Sequence, residues 1–302
     1  MRVARVSDRS DIFFDPSLAN SYFLSSYDIA VKVGTQWRFF DPGNRYVPFG
    51  MLVWWEEGVQ ALIPDSKEPA WAPTPISRPE QSLRKRTAKL RLLEDGTLEG
   101  DIQIEYTGHF AVSQKEYHDG LTVAEQEQDV TETLTNRLST AQVSNIKLES
   151  VKDTIKPLIV RYQVKVPQYA QRTGRRLFFQ PGFFEQGEPQ TFSSSTRKYP
   201  IYFDHAWSEQ DDVTIELPGG YDVENPETPS DVRAGELAGL QIRMSLPSPR
   251  TLHYERKFSF GGGRRSTLFP AAEYNNLKQL FDAFYERDSF ALTLREASAP
   301  AR

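Results

Sequence analysis

The sequence predicts a mainly β fold of the α+β class, and three observations carry that prediction. Apolar and polar residues alternate along several short runs, as in Val160-Arg161-Tyr162-Gln163-Val164-Lys165-Val166, the period of a strand with one covered face. Aromatic residues make up 12% of the chain, with 13 Tyr and 19 Phe, and large rings suit pleated surfaces. Twenty Pro and 18 Gly supply turn chemistry between the runs.

At 302 residues the chain is long enough for two domains with full cores. A net charge of -5 and a pI near 5.6 exclude the strongly basic balance of a nucleic-acid binder. The absence of Cys excludes disulfides, thiolate metal sites and a thiol nucleophile together. No apolar run is long enough for a membrane helix, and Met1 to Asp8 lacks the apolar core of a signal peptide. A piece of a longer protein would have left such a signal in the missing part.

Residues 1 to 24 show one apolar burst, Ile12-Phe13-Phe14, closed by Asp15-Pro16, which reads as a broken piece of a core. Tyr27 to Val33 then alternates, Gly34-Thr35 supplies a two-residue turn, and Trp37 to Phe40 starts a second strand. This hairpin ends on Asp41, held extended by Pro42. Met51 to Trp55 and Val59 to Ile63 are two further apolar segments around Glu56-Glu57-Gly58. Trp37, Trp54 and Trp55 are candidates for a ligand groove, against the plainer reading that they close a core edge. Pro64, Pro69, Pro73, Pro75 and Pro79 remove backbone donors, so 1–65 reads as one domain and 66–82 as a Pro-rich linker.

The second domain is expected over 83–297. Thr87 to Leu93 and Leu98 to Tyr106 flank the hairpin turn Asp95-Gly96. From about His109 the period changes. Thr122-Val123-Ala124-Glu125 has capping-box spacing, and Val123, Val130, Leu134 and Leu138 then share a face, predicting a helix over 122–137. Its acidic side, with Glu125, Glu127, Asp129 and Glu132, reads as solvated. Strands are expected near 141–149, 157–166, 175–180, 199–207, 211–217, 238–246 and 250–260, as in a sandwich or open barrel. A closing helix over 272–287 carries Tyr274, Leu277, Leu280, Phe281 and Phe284 on one stripe, and Phe290 to Leu294 is a last strand.

Val31-Lys32-Val33, Trp37, Phe39-Phe40-Asp41-Pro42 and Tyr46-Val47-Pro48-Phe49-Gly50-Met51-Leu52 together resemble the second half of a transglutaminase-like domain. The likeness is to bacterial proteins in which that domain lies between two β-rich domains of unknown function. Asp211 to Tyr221, Tyr274 to Asp282 and Phe290 to Leu294 loosely resemble the β-rich domain that follows it. In that family a Cys on a buried helix is activated by a His about fifteen residues before the acid, and the acid holds the imidazole in its working tautomer. Asp41 matches the acid. The His position falls near Ser26, where Ser25, Ser26 and Tyr27 stand, and the chain has no Cys.

The resemblance therefore implies a partial transglutaminase-like sheet over 1–65 followed by a β-sandwich-like domain with one internal and one C-terminal helix. It implies no catalytic residue beyond the matched Asp41, and a binding or scaffolding role toward peptide, cell-envelope polymer or missing N-terminal domains. An extracytoplasmic, periplasmic location is an implication of the same kinship. Two rival readings remain open: the C-terminal part of an enzyme whose nucleophile lies upstream, and a carbohydrate-binding module resting on Trp54, Trp55 and Trp71.

Other motifs read plainly. His205-Ala206-Trp207 looks like the setting of a transglutaminase-like His, but Asp222 is followed by Val223 rather than Pro, so His205 reads as a half-buried strand residue. His109, His118 and His253 lack metal-ligand spacing, and no metal or cofactor is expected. Gly261 to Arg265 lacks the ending of a phosphate loop and reads as a connection; Ser193 to Thr196 lacks a nucleophile elbow. Arg84-Lys85-Arg86 and Arg172 to Arg176 read as solubilising clusters.

Overall fold

The computed structural model describes residues 1–12, 14–17, 20–263 and 267–297. Phe13 of the first apolar burst, and Arg264 and Arg265 of the glycine-rich connection, lie outside the described residues.

The first sheet contains β1 (Arg2–Val6), β2 (Ser26–Val33), β3 (Gln36–Phe40), β4 (Gln60–Ile63) and β5 (Ala70–Pro73). Its order is β3-β2-β1-β4-β5, so the N-terminal residues form the central strand. Ala4 and Val6 lie in a small core with Ala30, Phe39, Leu52 and Ile63. Five residues with two arginines give little strand signal, which is why β1 is not evident from sequence. The predicted hairpin is present, with Val33 opposite Gln36. Within the Pro-rich stretch, β5 pairs with β4 and places Pro73 opposite Gln60. An edge strand tolerates proline because one side makes no ladder bonds.

The second region begins with β6 (Leu83–Leu92), β7 (Leu98–Tyr106), α1 (Gly108–Asp119), α2 (Val123–Arg137), β8 (Gln142–Glu149) and β9 (Leu158–Val166). It continues with β10 (Gln171–Thr173), β11 (Arg176–Phe179), β12 (Ile201–Tyr202), β13 (Trp207–Glu216), β14 (Tyr221–Val223) and β15 (Val232–Ala234). The last elements are β16 (Ala238–Ser248), β17 (Thr251–Phe260), β18 (Leu268–Phe269), α3 (Tyr274–Asp288) and β19 (Leu292–Glu296). The eight-stranded sheet has the order β15-β16-β17-β13-β6-β7-β9-β8. Two antiparallel halves meet at one parallel seam, β6 beside β13, with Asp211 paired to Arg86. A four-stranded sheet, β10-β11-β19-β14, contributes Leu177, Phe179, Leu292 and Leu294 to the same core, together with α3.

The α2 cap forms as its sequence requires: Glu125 N–H donates to Thr122 Oγ1 at 3.3 Å, and Thr122 N–H donates to Glu125 Oε2 at 2.7 Å. α1 is a helix that apolar periodicity does not reveal, because its buried side holds His109, Lys115 and His118 beside Ala111 and Val112. Lys115 Nζ donates to the carbonyls of Asp153 (2.7 Å) and Lys156, and His118 Nε2 lies 3.1 Å from Asp129 Oδ2. Asp129 thus pairs with a histidine on the side expected to be solvated. The strand expected at 199–207 is reduced to β12, and after a bend at Asp204-His205 the strand expected at 211–217 begins early, running from Trp207 to Glu216. Gln210 and Asp211 interrupt the apolar pattern, yet Asp211 is buried because Arg86 neutralises it.

Polar contacts join the two regions. Arg9 donates to the carbonyls of Trp54 (2.7 Å) and Asp204 (2.6 Å) and to Thr267 Oγ1 (3.0 Å). Its guanidinium lies 5.7 Å from the Trp54 ring centre and 5.5 Å from that of Tyr202. Glu57 accepts from Ser77 N–H at 3.0 Å and from Ser77 Oγ, and lies 3.1 Å from His109 Nε2.

Candidate functional site

Asp41 follows β3 at the end of the hairpin. Its Oδ1 accepts the amides of Gly43 (2.9 Å) and Asn44 (3.2 Å), and Asn44 Nδ2 donates to Oδ2. This is the side chain-to-backbone turn that Asp-Pro-Gly-Asn favours. The register pairs Ile29 with Phe40, which carries Asp28 to the place opposite Asp41. The partner of the matched acid is thus a second acid. Ser26 lies two residues before Asp28 on β2.

A third carboxylate joins them. Glu56 ends the short 3-10 turn Trp54–Glu56, and one oxygen from each of Asp28, Asp41 and Glu56 lies within 4.8 Å of the others. Asp28 is 1% exposed and Glu56 4% exposed. Among the described residues, both carboxylate oxygens of Asp28 and Oε2 of Glu56 lack a hydrogen-bond partner. Burial, followed by the charges of Glu56 and Asp41, pushes the Asp28 carboxyl up to about 8. Burial pushes Glu56 up to about 7. Spacing does not announce this trio, because its members come from a strand, a turn and a 3-10 helix. One signal was available: Asp28 shares the inward parity of Ala30, so an acid stands where β2 buries its face.

The candidate groove tryptophans occupy two separate places. Trp54 and Trp55 meet edge to face at 5.4 Å, and Trp54 lies 6.0 Å from Tyr202 at the junction of the two regions. Trp37 is between Arg2 and Lys32, 5.7 and 5.8 Å from its ring centre. Trp71 contacts Phe14 at 5.9 Å on the outer strand of the first sheet.

Each histidine finds a partner that sequence spacing does not show. His109 and His205 face one another with ring centres 4.8 Å apart, and Glu57 holds His109 from the other side. Burial, with His109 adding to it, lowers the His205 imidazole to about 4. His253 Nε2 lies 3.0 Å from Asp212 Oδ1 near the surface.

Arg84 and Arg86 belong to β6 rather than to a solubilising loop. Arg86 donates to Asp211 (2.6 and 2.9 Å) and to Glu185, and Arg84 donates to Glu209. Arg256 donates to both oxygens of Asp288 (2.7 and 2.8 Å) and to Glu209 Oε2 (2.7 Å). Burial alone would raise the Glu209 carboxyl, but Arg84, Arg86 and Arg256 together hold it well below the usual range. Beside this layer, between β7, β9 and the two helices, is a cleft of about 350 Å³ lined by Arg84, Tyr106, Phe110, Thr133 and Tyr162. Arg84 Nε, which is buried, has no acceptor among the described residues.

Comparison with known proteins gives two likenesses. Residues 175–294 match DUF3858, a family described as a domain of unknown function with a solved structure. A solved structure from Parabacteroides distasonis, provisionally described as a protease, is similar at 10% identity with a TM-score of 0.42. The likeness covers 97% of this chain and 40% of that one, so the chain spans less than half of that protein's length. No curated protein matches the sequence.

Proposed function

We propose that this chain acts by contact rather than by acyl transfer, with residues 1–65 as a transglutaminase-like remnant in which the acid has lost its catalytic partners. The observation that carries the reading is the surroundings of Asp41. Its cross-strand neighbour is Asp28 and the third member of the group is Glu56, neither of which supplies the imidazole that such an acid orients. The chain also lacks the sulfhydryl that such a base would activate.

The cleft beside α1 and α2 is the contact surface this reading favours. A buried guanidinium N–H without an acceptor, flanked by aromatic rings, suits a carboxylate on a short extended ligand, such as an acidic peptide. The chain, incubated with a glutamine-containing peptide and a labelled amine, or with a fluorogenic peptide amide, is expected to give no turnover above the uncatalysed rate. Turnover that Asp41→Ala abolishes would overturn the proposal. Labelled acidic peptides are expected to bind with an anisotropy change that the cleft-filling variant Thr133→Trp weakens about tenfold or more, the size of a lost contact set of roughly 1.4 kcal/mol.

A further inference from the structure

We infer that Asp28, Asp41 and Glu56 form a binding site for a hard divalent cation of the calcium type. The inference needs no kinship with transglutaminases and stands whether or not the chain turns over a substrate.

Two buried carboxylates facing one another are costly in a fold unless something positive lies between them. Here the nearest charges acting on Asp28 are Glu56 and Asp41, and those acting on Glu56 include Asp41 and Asp8, all of them acidic. Among the described residues both oxygens of Asp28, a side chain 1% exposed, are left without a hydrogen-bond partner, and one of them lies within 4.8 Å of an oxygen from each of the other two acids. Ser10 and the turn amides take up Asp8 and Asp41 locally and Ser26 reaches Glu56, whereas among the described residues no N–H or hydroxyl donor reaches Asp28.

The donor set selects the ion. Three carboxylates with no nitrogen or sulfur among them suit calcium or magnesium rather than zinc or copper. One oxygen from each acid lies within 4.8 Å of the other two, close enough for all three to reach a single ion. Magnesium dehydrates reluctantly and is usually held by one or two carboxylates with several waters, so three carboxylates with two of them buried favour calcium. Asp41 is only half-buried, which leaves a route for the ion and places for water ligands. The scaffold is firm on all sides: Asp28 is in a central hairpin, the turn amides fix Asp41, and Arg9 ties the Trp54 and Trp55 carbonyls beside Glu56.

The test is calorimetric titration of calcium chloride, and separately magnesium chloride, into the full chain after treatment with a chelator and desalting. One calcium is expected per chain, with a Kd at or below about 1 mM, a raised Tm, and weaker binding of magnesium. Asp28→Asn and Glu56→Gln are each expected to weaken calcium at least tenfold. The half-buried Asp41→Asn is a second route should either core variant fold poorly. Terbium replaces calcium in a parallel measurement, since Trp55 adjoins Glu56 in the chain and can sensitise its emission; calcium should quench that signal by displacement. Absence of heat and of a Tm shift at 10 mM calcium, roughly ten times the weakest expected Kd, overturns the inference. So does unchanged binding in Asp28→Asn, or a wild-type chain that ignores calcium while Asp28→Asn alone raises its Tm, which would mean a shared proton instead.

Discussion

Replacing Arg256 by Met tests the buried ionic layer most directly. Arg256 sits in β17 and makes three hydrogen bonds, two to Asp288 on α3 and one to Glu209 on β13. The layer holds Arg84, Arg86 and Arg256 against Glu185, Glu209, Asp211 and Asp288, three positive charges against four negative. Met keeps much of the volume but leaves Asp288 without its bidentate partner and the layer two charges negative. Removing one member of such a buried pair costs about 3–5 kcal/mol. For a unit of about 200 residues that lowers Tm by roughly 6–20 °C. Urea unfolding followed by tryptophan fluorescence reads it, since Trp207 lies 5.7 Å from Phe258 beside the layer. The double variant Arg256→Met/Asp288→Leu removes both partners and is expected to recover at least 2 kcal/mol, roughly half the loss. The loss also depends on pH. Burial raises Asp288 to about 6 even with Arg256 opposing it, so the acid is raised in the fold above its unfolded value. A raised group contributes stability below its unfolded pKa and loses it as pH rises through the folded one. Without Arg256 that loss extends to higher pH, so the variant's deficit is smaller at pH 5 than at pH 8. A deficit under about 1 kcal/mol at pH 8, or a double variant no more stable than the single one, would refute the reasoning.

Two further outcomes are expected. His205 is depressed to about 4 in the fold, so it contributes stability above its unfolded pKa near 6.5 and loses it as pH falls toward 4; His205→Phe should flatten the acid limb of a stability-against-pH curve by about 1–3 kcal/mol, and an unchanged limb would contradict the burial of its neutral form. The hairpin glycines Gly96 and Gly34 both have positive φ, +85° and +61°, but a Cβ at Gly96 would stand 2.3 Å from the Ala170 carbonyl oxygen while Gly34 faces open space. Gly96→Ala should therefore cost at least about 2 kcal/mol and Gly34→Asn less than about 1 kcal/mol by chemical denaturation, and equal costs would show that backbone angle alone decides.

Local features were legible wherever a short-range rule acts. The Gly34-Thr35 and Asp95-Gly96 hairpins, the Thr122 cap and the α3 stripe are each written within a few residues, because turn chemistry and helix periodicity are local. β1 and α1 escaped that reading for different reasons. β1 is short and carries arginines, and becomes a central strand only because β2 and β4 flank it. α1 buries histidine and lysine, whose acceptors lie on Asp129, Asp153 and Lys156, ten or more residues away.

The candidate site divides in the same way. Asp41 as an acid at the end of a hairpin could be read from Phe40-Asp41-Pro42, and the lack of Cys in these 302 residues is plain in the composition. Its neighbours could not be read. Asp28 faces it through strand register, Glu56 reaches it through the loop after β3, and Arg84 and Arg86 are buried because a parallel strand more than a hundred residues later brings Glu209 and Asp211 beside them. The sequence by itself determined strand-rich character, turns and caps, since those depend on neighbours along the chain. The tertiary structure alone decided which charges meet, because a buried carboxylate is neutralised, protonated or left exposed to a cation according to what distant segments place around it.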